Sequence, residues 1–160
     1  MTDRRTRRWI GEKHFKRYVW DDDKTPYFTP VFKLDRRQAS NEVYVYALFI
    51  GTLFCVVAVL ANTGAFPHGR SFGVALYAFS VVCAAIVFGF TKHPVPAWYC
   101  GLSPVATLIY FSYFGFHPNS AAVDHVVLLV LIALWLRYSW RVIAIGRHFE
   151  EMPEHEGEEK

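Results

Sequence analysis

The sequence predicts an all-α integral membrane protein with four transmembrane helices in an up-down bundle and a cytoplasmic amino-terminal arm. Three observations carry this reading. Residues 43–146 contain four long apolar stretches and a single acidic residue, Asp124, alongside Arg70, Lys92, Arg137 and Arg141. The first 42 residues hold eleven of the chain's 17 Lys and Arg. Short connections join the stretches, which makes consecutive helices antiparallel neighbours. The chain thus divides into an arm (1–42), a membrane domain (43–146) and an acidic tail (147–160).

The arm has two parts. Residues 3–20 suit a basic amphipathic helix, with Phe15, Tyr18 and Val19 at i, i+3 and i+4. Its Arg4, Arg5, Arg7, Arg8, Lys13, Lys16 and Arg17 would lie on anionic lipid headgroups, each contributing roughly 1 kcal/mol near such a surface. Asp21, Asp22 and Asp23 then interrupt the positive charge. Between Lys24 and Lys33, Pro26 and Pro30 disfavour helix. That leaves Tyr27, Phe28, Val31 and Phe32 on an extended segment with no core of its own, a suitable docking strand for another subunit. Packing beneath its own helices is the alternative.

The expected spans are 43–61, 71–91, 95–116 and 121–141. Each approaches the roughly 20 residues that cross about 30 Å of hydrocarbon. The first three carry no charged side chain. The fourth has Asp124 and His125 at one end and Arg137 toward the other, where a long stem can carry the guanidinium to the headgroups. Pro104 removes the hydrogen bond to the Cys100 carbonyl and should kink the third span, with Ser103 or Thr107 placed to occupy the freed oxygen. Small residues recur four apart, Ala47 with Gly51 and Ala85 with Gly89 among them, a spacing that lets helix backbones approach closely.

Direction follows from the basic residues. The arm, the Lys92 turn and the residues after the fourth span (Arg137, Arg141, Arg147) are basic, whereas the third loop has no Lys or Arg. The positive-inside rule therefore puts both termini in the cytoplasm and suggests a bacterial inner membrane. Tyr44, Tyr46, Trp98, Tyr99, Trp135, Tyr138 and Trp140 would gather at the inner interface. Two cytoplasmic ends of opposite charge could attract one another, although exposed pairs contribute little individually.

No motif specifies a reaction. Cys55, Cys83 and Cys100 fall on separate spans without a Cys-x-x-Cys pair, which argues against a thiol oxidoreductase. A haem bundle needs facing histidines near mid-membrane, and none lies there. The outer face does collect His68, His117, Asp124 and His125, a loose candidate group for a metal or proton. Its structural alternative is ordinary helix capping. Ion pumps and charged-substrate carriers keep ionisable groups inside their spans, and the first three spans have none.

These features point to a non-catalytic accessory or structural subunit of a larger respiratory, photosynthetic or transport complex. No cofactor is expected, and the expected partners are other membrane subunits and anionic lipid, not nucleic acid. In length and span number the chain also resembles the small four-helix subunits of tripartite carboxylate carriers. That resemblance in layout implies the alternative of a carrier's membrane subunit. A membrane redox protein or enzyme built on His125 and its neighbours is the third reading.

Overall fold

Helix formation begins earlier than the apolar pattern implies. The computed structural model describes Tyr27 and residues 29–64, 69–116 and 120–154. A 3-10 turn at Val31–Lys33 leads into α1 (Arg36–Thr63), followed by α2 (Phe72–Thr91), α3 (Pro94–Gly101), α4 (Ser103–Phe114) and α5 (Ala122–His148); a second 3-10 turn covers Phe149–Glu151. Among the described residues the chain is all-helical.

The start of α1 at Arg36, rather than near Val43, has a local cause. Asp35 is the N-cap, its Oδ1 accepting from Gln38 N at 2.7 Å while Gln38 Oε1 accepts from Asp35 N at 3.3 Å. This reciprocal capping box satisfies two orphan donors and lets the helix start inside the charged arm. At 28 residues α1 is about 42 Å long, and α5, with 27 residues, is about 40 Å. Both outrun a hydrocarbon core of about 30 Å. The expected absence of ionisable groups from the first helix is corrected accordingly, because α1 includes Glu42, which is fully buried.

Arg36–Thr63, Phe72–Thr91 and Ala122–Glu151 are each long and apolar enough to cross a membrane. α1 and α2 pack closely along the small residues. A Cβ built on Gly89 would lie 3.4 Å from the Ala47 Cβ, and one on Gly51 would lie 3.9 Å from the Ala85 Cβ. Tyr44 meets Phe90 edge-on at 6.4 Å, and Phe54 meets Tyr77 at 6.0 Å. Partners thus ascend one helix as they descend the other, so the two run antiparallel. We call the end bearing Arg36, Lys92 and His148 the arm end, and the opposite one the far end.

α3 approaches α5 more closely still. A Cβ on Gly146 would fall 2.8 Å from the Ala97 Cβ, and one on Gly101 would fall 2.5 Å from the Ile143 Cδ1. The Trp98 and Trp140 rings cross edge-to-face at 5.7 Å beside this contact. Tyr46, Ile50, Val81, Phe88, Val142 and Ile145 are buried where α1, α2, α3 and α5 converge.

The third apolar stretch, expected as one kinked span, folds as two helices of 8 and 12 residues. Leu102 sits between them, its N–H donating to the Trp98 carbonyl at 2.9 Å. Pro104 has no N–H to offer the Cys100 carbonyl. That oxygen instead accepts from Ser103 Oγ and, at 3.3 Å, from the Tyr46 hydroxyl of α1. The break therefore costs the bundle no unpaired acceptor. α4 packs on α5 and buries only Ser103 and Pro104.

Candidate functional site

The strongest concentration of buried polar groups lies at the arm end. Glu42 on α1 faces Arg141 on α5, with Arg141 Nε donating to Oε1 at 2.6 Å and Nη2 donating to Oε2 at 3.0 Å. Arg141 Nη1 donates to the Thr29 carbonyl of the arm. A planar guanidinium can make all three bonds at once, which an ammonium could not. The Tyr138 hydroxyl adds a further interaction with Glu42. Both Glu42 oxygens are thus engaged, so the carboxylate is a structural anchor and not an available base.

One turn farther into the bundle, Tyr46 donates to the Cys100 carbonyl and lies 2.9 Å from Ser139 Oγ, completing a chain across α1, α3 and α5. Tyr46 also stacks obliquely on Tyr138 at 5.8 Å. The Trp135 side chain approaches the Tyr46 hydroxyl, but its Nε1 is buried without a hydrogen bond of normal geometry. Buried polar chains of this kind fix register between helices, because slipping any one of them strands several donors.

The arm and the acidic tail meet. Arg36 Nη1 pairs with Glu154 at 3.0 Å, its Nη2 donates to the Glu150 carbonyl at 2.8 Å, and its backbone N–H donates to the Pro153 carbonyl at 3.0 Å. Leu34 and Met152 are buried within the same joint. Beside it lies a hollow of about 350 Å³ bordered by Val31, Phe32, Ala144, His148, Met152 and Pro153.

The expected docking residues divide between these surroundings. Tyr27 packs against Tyr138 with ring centroids 6.5 Å apart, and Val31 packs on the core. Phe32 is 82% exposed. Phe28 lies outside the described residues, as do Arg4, Arg5, Arg7, Arg8, Lys13, Lys16 and Arg17 of the expected lipid-binding helix.

At the far end, His68 and His117 also lie outside the described residues. Asp124 caps α5, its Oδ2 accepting from Ala121 N at 2.9 Å, and His125 Nε2 lies 2.8 Å from Ser120 Oγ. The His125 ring stacks on Phe116 at 4.2 Å. Asp124 and His125 are therefore both occupied in starting α5. Among the described residues no three of His, Cys, Asp and Glu group as metal ligands would.

The chemistry of the arm end is that of a lock: it holds an arm, a tail and three helices in one register. Sequence reasoning missed Glu42, Arg141 and Tyr46 as a connected set. The one readable signal was Asp35-x-x-Gln38, a helix start seven residues upstream of the apolar run. Compared with known proteins, the chain matches no family model, no curated protein and no solved structure.

Proposed function

We propose that the chain is a non-catalytic accessory subunit of a larger membrane complex, and that the arm end is its docking face. In this reading it crosses a bacterial inner membrane four times as an up-down bundle with both termini in the cytoplasm. α3 and α4 together form the remaining crossing, carrying the chain from the arm end back to the far end. The basic residues Arg36, Arg37, Lys92, Arg141 and Arg147 all fall at the arm end, which favours a cytoplasmic location for it.

The observation that carries the proposal is Phe32. Its neighbours Tyr27, Val31 and Leu34 pack onto the chain, and Arg141 holds Thr29, yet Phe32 is 82% exposed beside an open hollow. An aromatic held outward on an anchored segment loses little conformational freedom on association, and aromatic anchors in pockets dominate binding energy. Burying it contributes about 1.5–3 kcal/mol, or roughly tenfold to a hundredfold in affinity.

The test is gentle-detergent purification of Phe32→Ala and Phe32→Asp chains, with mass spectrometry of the co-purifying proteins. Membrane content of the chain should be unchanged, since Phe32 supports no core contact, while partner recovery should fall with Ala and fail with Asp. Undiminished recovery of every partner from Phe32→Asp would refute docking through the arm.

A further inference from the structure

The outward face of the α1–α2 pair carries an apolar groove whose floor is the small-residue seam of Ala47, Gly51, Ala85 and Gly89. Leu48, Val56 and Ile86 form its walls and are all more than half exposed. Tyr44 and Phe90 narrow it at the arm end. Its volume is about 460 Å³, and its α1 lining runs from Tyr44 to Val56, roughly 18 Å of helix. Volume over length gives a cross-section of roughly 25 Å², a channel about 5 Å wide, whereas a helix with its side chains is about 10–12 Å across. The groove is too narrow to seat a helix and suits one extended alkyl chain. Its length is that of one leaflet, about half of the 30 Å hydrocarbon core.

The arm end of the groove supplies charge. Lys92 lies two residues beyond Phe90, and its Nζ donates to the Phe90 carbonyl at 3.3 Å, which holds the ammonium at the groove's rim. Arg37 is exposed and lies seven residues before Tyr44, so helical periodicity puts it on the same stripe as Tyr44, Leu48, Gly51 and Cys55. Glu42 is turned away, buried against α5. A leaflet-long apolar groove thus opens toward two cations.

We infer that this groove is a binding site for one anionic phospholipid, with an acyl chain lying along the small-residue floor and the phosphate between Arg37 and Lys92. Packing against the floor supplies the fit, because lipid offers no hydrophobic drive of its own. The two cations supply selectivity for a negatively charged headgroup, each contributing about fivefold.

Full-length protein in mild detergent, incubated with equal amounts of phosphatidylglycerol and phosphatidylcholine of identical chains, tests this by native mass spectrometry. One phosphatidylglycerol should be retained, favoured about twenty-fold over phosphatidylcholine. Arg37→Gln combined with Lys92→Asn should reduce that preference to near unity while leaving acyl-chain binding. Asn is chosen because position 92 has a left-handed backbone. Cys55→Phe, which enters the groove from an exposed lining position, should reduce retention of both lipids. Equal retention of the two lipids by the unmodified chain would overturn the inference, as would binding unaffected by Cys55→Phe. Efficient oxidative Cys55–Cys55 cross-linking in membranes would also overturn it, by identifying a second copy as the occupant.

Discussion

Arg141 grips the Glu42 carboxylate at two points, 2.6 and 3.0 Å, and the same guanidinium reaches the backbone of the arm at Thr29. One side chain therefore joins the first helix, the last helix and the segment before both. Glu42 is fully buried, so the pair has little water to fall back on if either partner is lost.

Removing one partner should accordingly be severe. Glu42→Gln and Arg141→Gln each leave an uncompensated charge and should cost about 3–5 kcal/mol of stability, measured by unfolding in detergent. The double variant should lose less than the sum, since neither lone charge remains. Only the Arg141 variants release Thr29, so trypsin should cut after Lys33 faster in Arg141→Gln than in Glu42→Gln. Equal cleavage in the two would show that the arm is held by other contacts.

The glycines should separate by what faces them. Gly146→Ala drives its Cβ to 2.8 Å from Ala97, which has no flexible end to withdraw, and should cost about 1–3 kcal/mol. Ala97→Gly in the same chain should recover most of that loss. Gly51→Ala meets Ala85 at an ordinary 3.9 Å and should be near neutral. A neutral Gly146→Ala would mean that α3 and α5 have room to separate.

Tyr46 and Pro104 should be coupled through the Cys100 carbonyl. Tyr46→Phe removes one donor from that oxygen and should cost about 1 kcal/mol. Pro104→Ala supplies a backbone N–H to the same carbonyl. In that background the cost of Tyr46→Phe should shrink, with α3 and α4 drawn toward a continuous helix. Identical costs in both backgrounds would assign Tyr46's contribution to Ser139 instead.

The parts of this fold legible in the sequence were those with a local signature. Apolar runs without charge marked α1, α2 and the inner part of α5, and Pro104 marked the interruption of the third stretch. The Ala47/Gly51 and Ala85/Gly89 spacing anticipated the close approach of α1 and α2. What escaped notice was long-range. Glu42 and Arg141 are 99 residues apart, and nothing beside either names the other. Counting Glu42 with a charged arm concealed that a helix had already begun at Asp35. The joint of Arg36 with Glu150, Pro153 and Glu154 was likewise visible only as opposite charge on two ends. At the far end, the neighbours that occupy Asp124 and His125 are short-range, and the capping alternative had named that use.

The orientation has a direct readout. A reporter active only in the cytoplasm should give signal when fused after Lys160 and none when inserted between Pro67 and Arg70. The opposite pattern would turn the whole arrangement over and put the arm outside.

The span of 99 residues between Glu42 and Arg141 also sets a clock on biogenesis. At about 5–20 residues per second, a ribosome needs roughly 5–20 s after making Glu42 before its counter-charge exists. For that interval the first helix has a carboxylate that cannot be buried in its final place. α1 must wait at the membrane surface, or with a chaperoning insertase, until the last helix arrives. Closure of the bundle, fastening of the arm and capture of the tail then fall together at the end of synthesis, so a chain stopped short of residue 141 would enter the membrane but never lock.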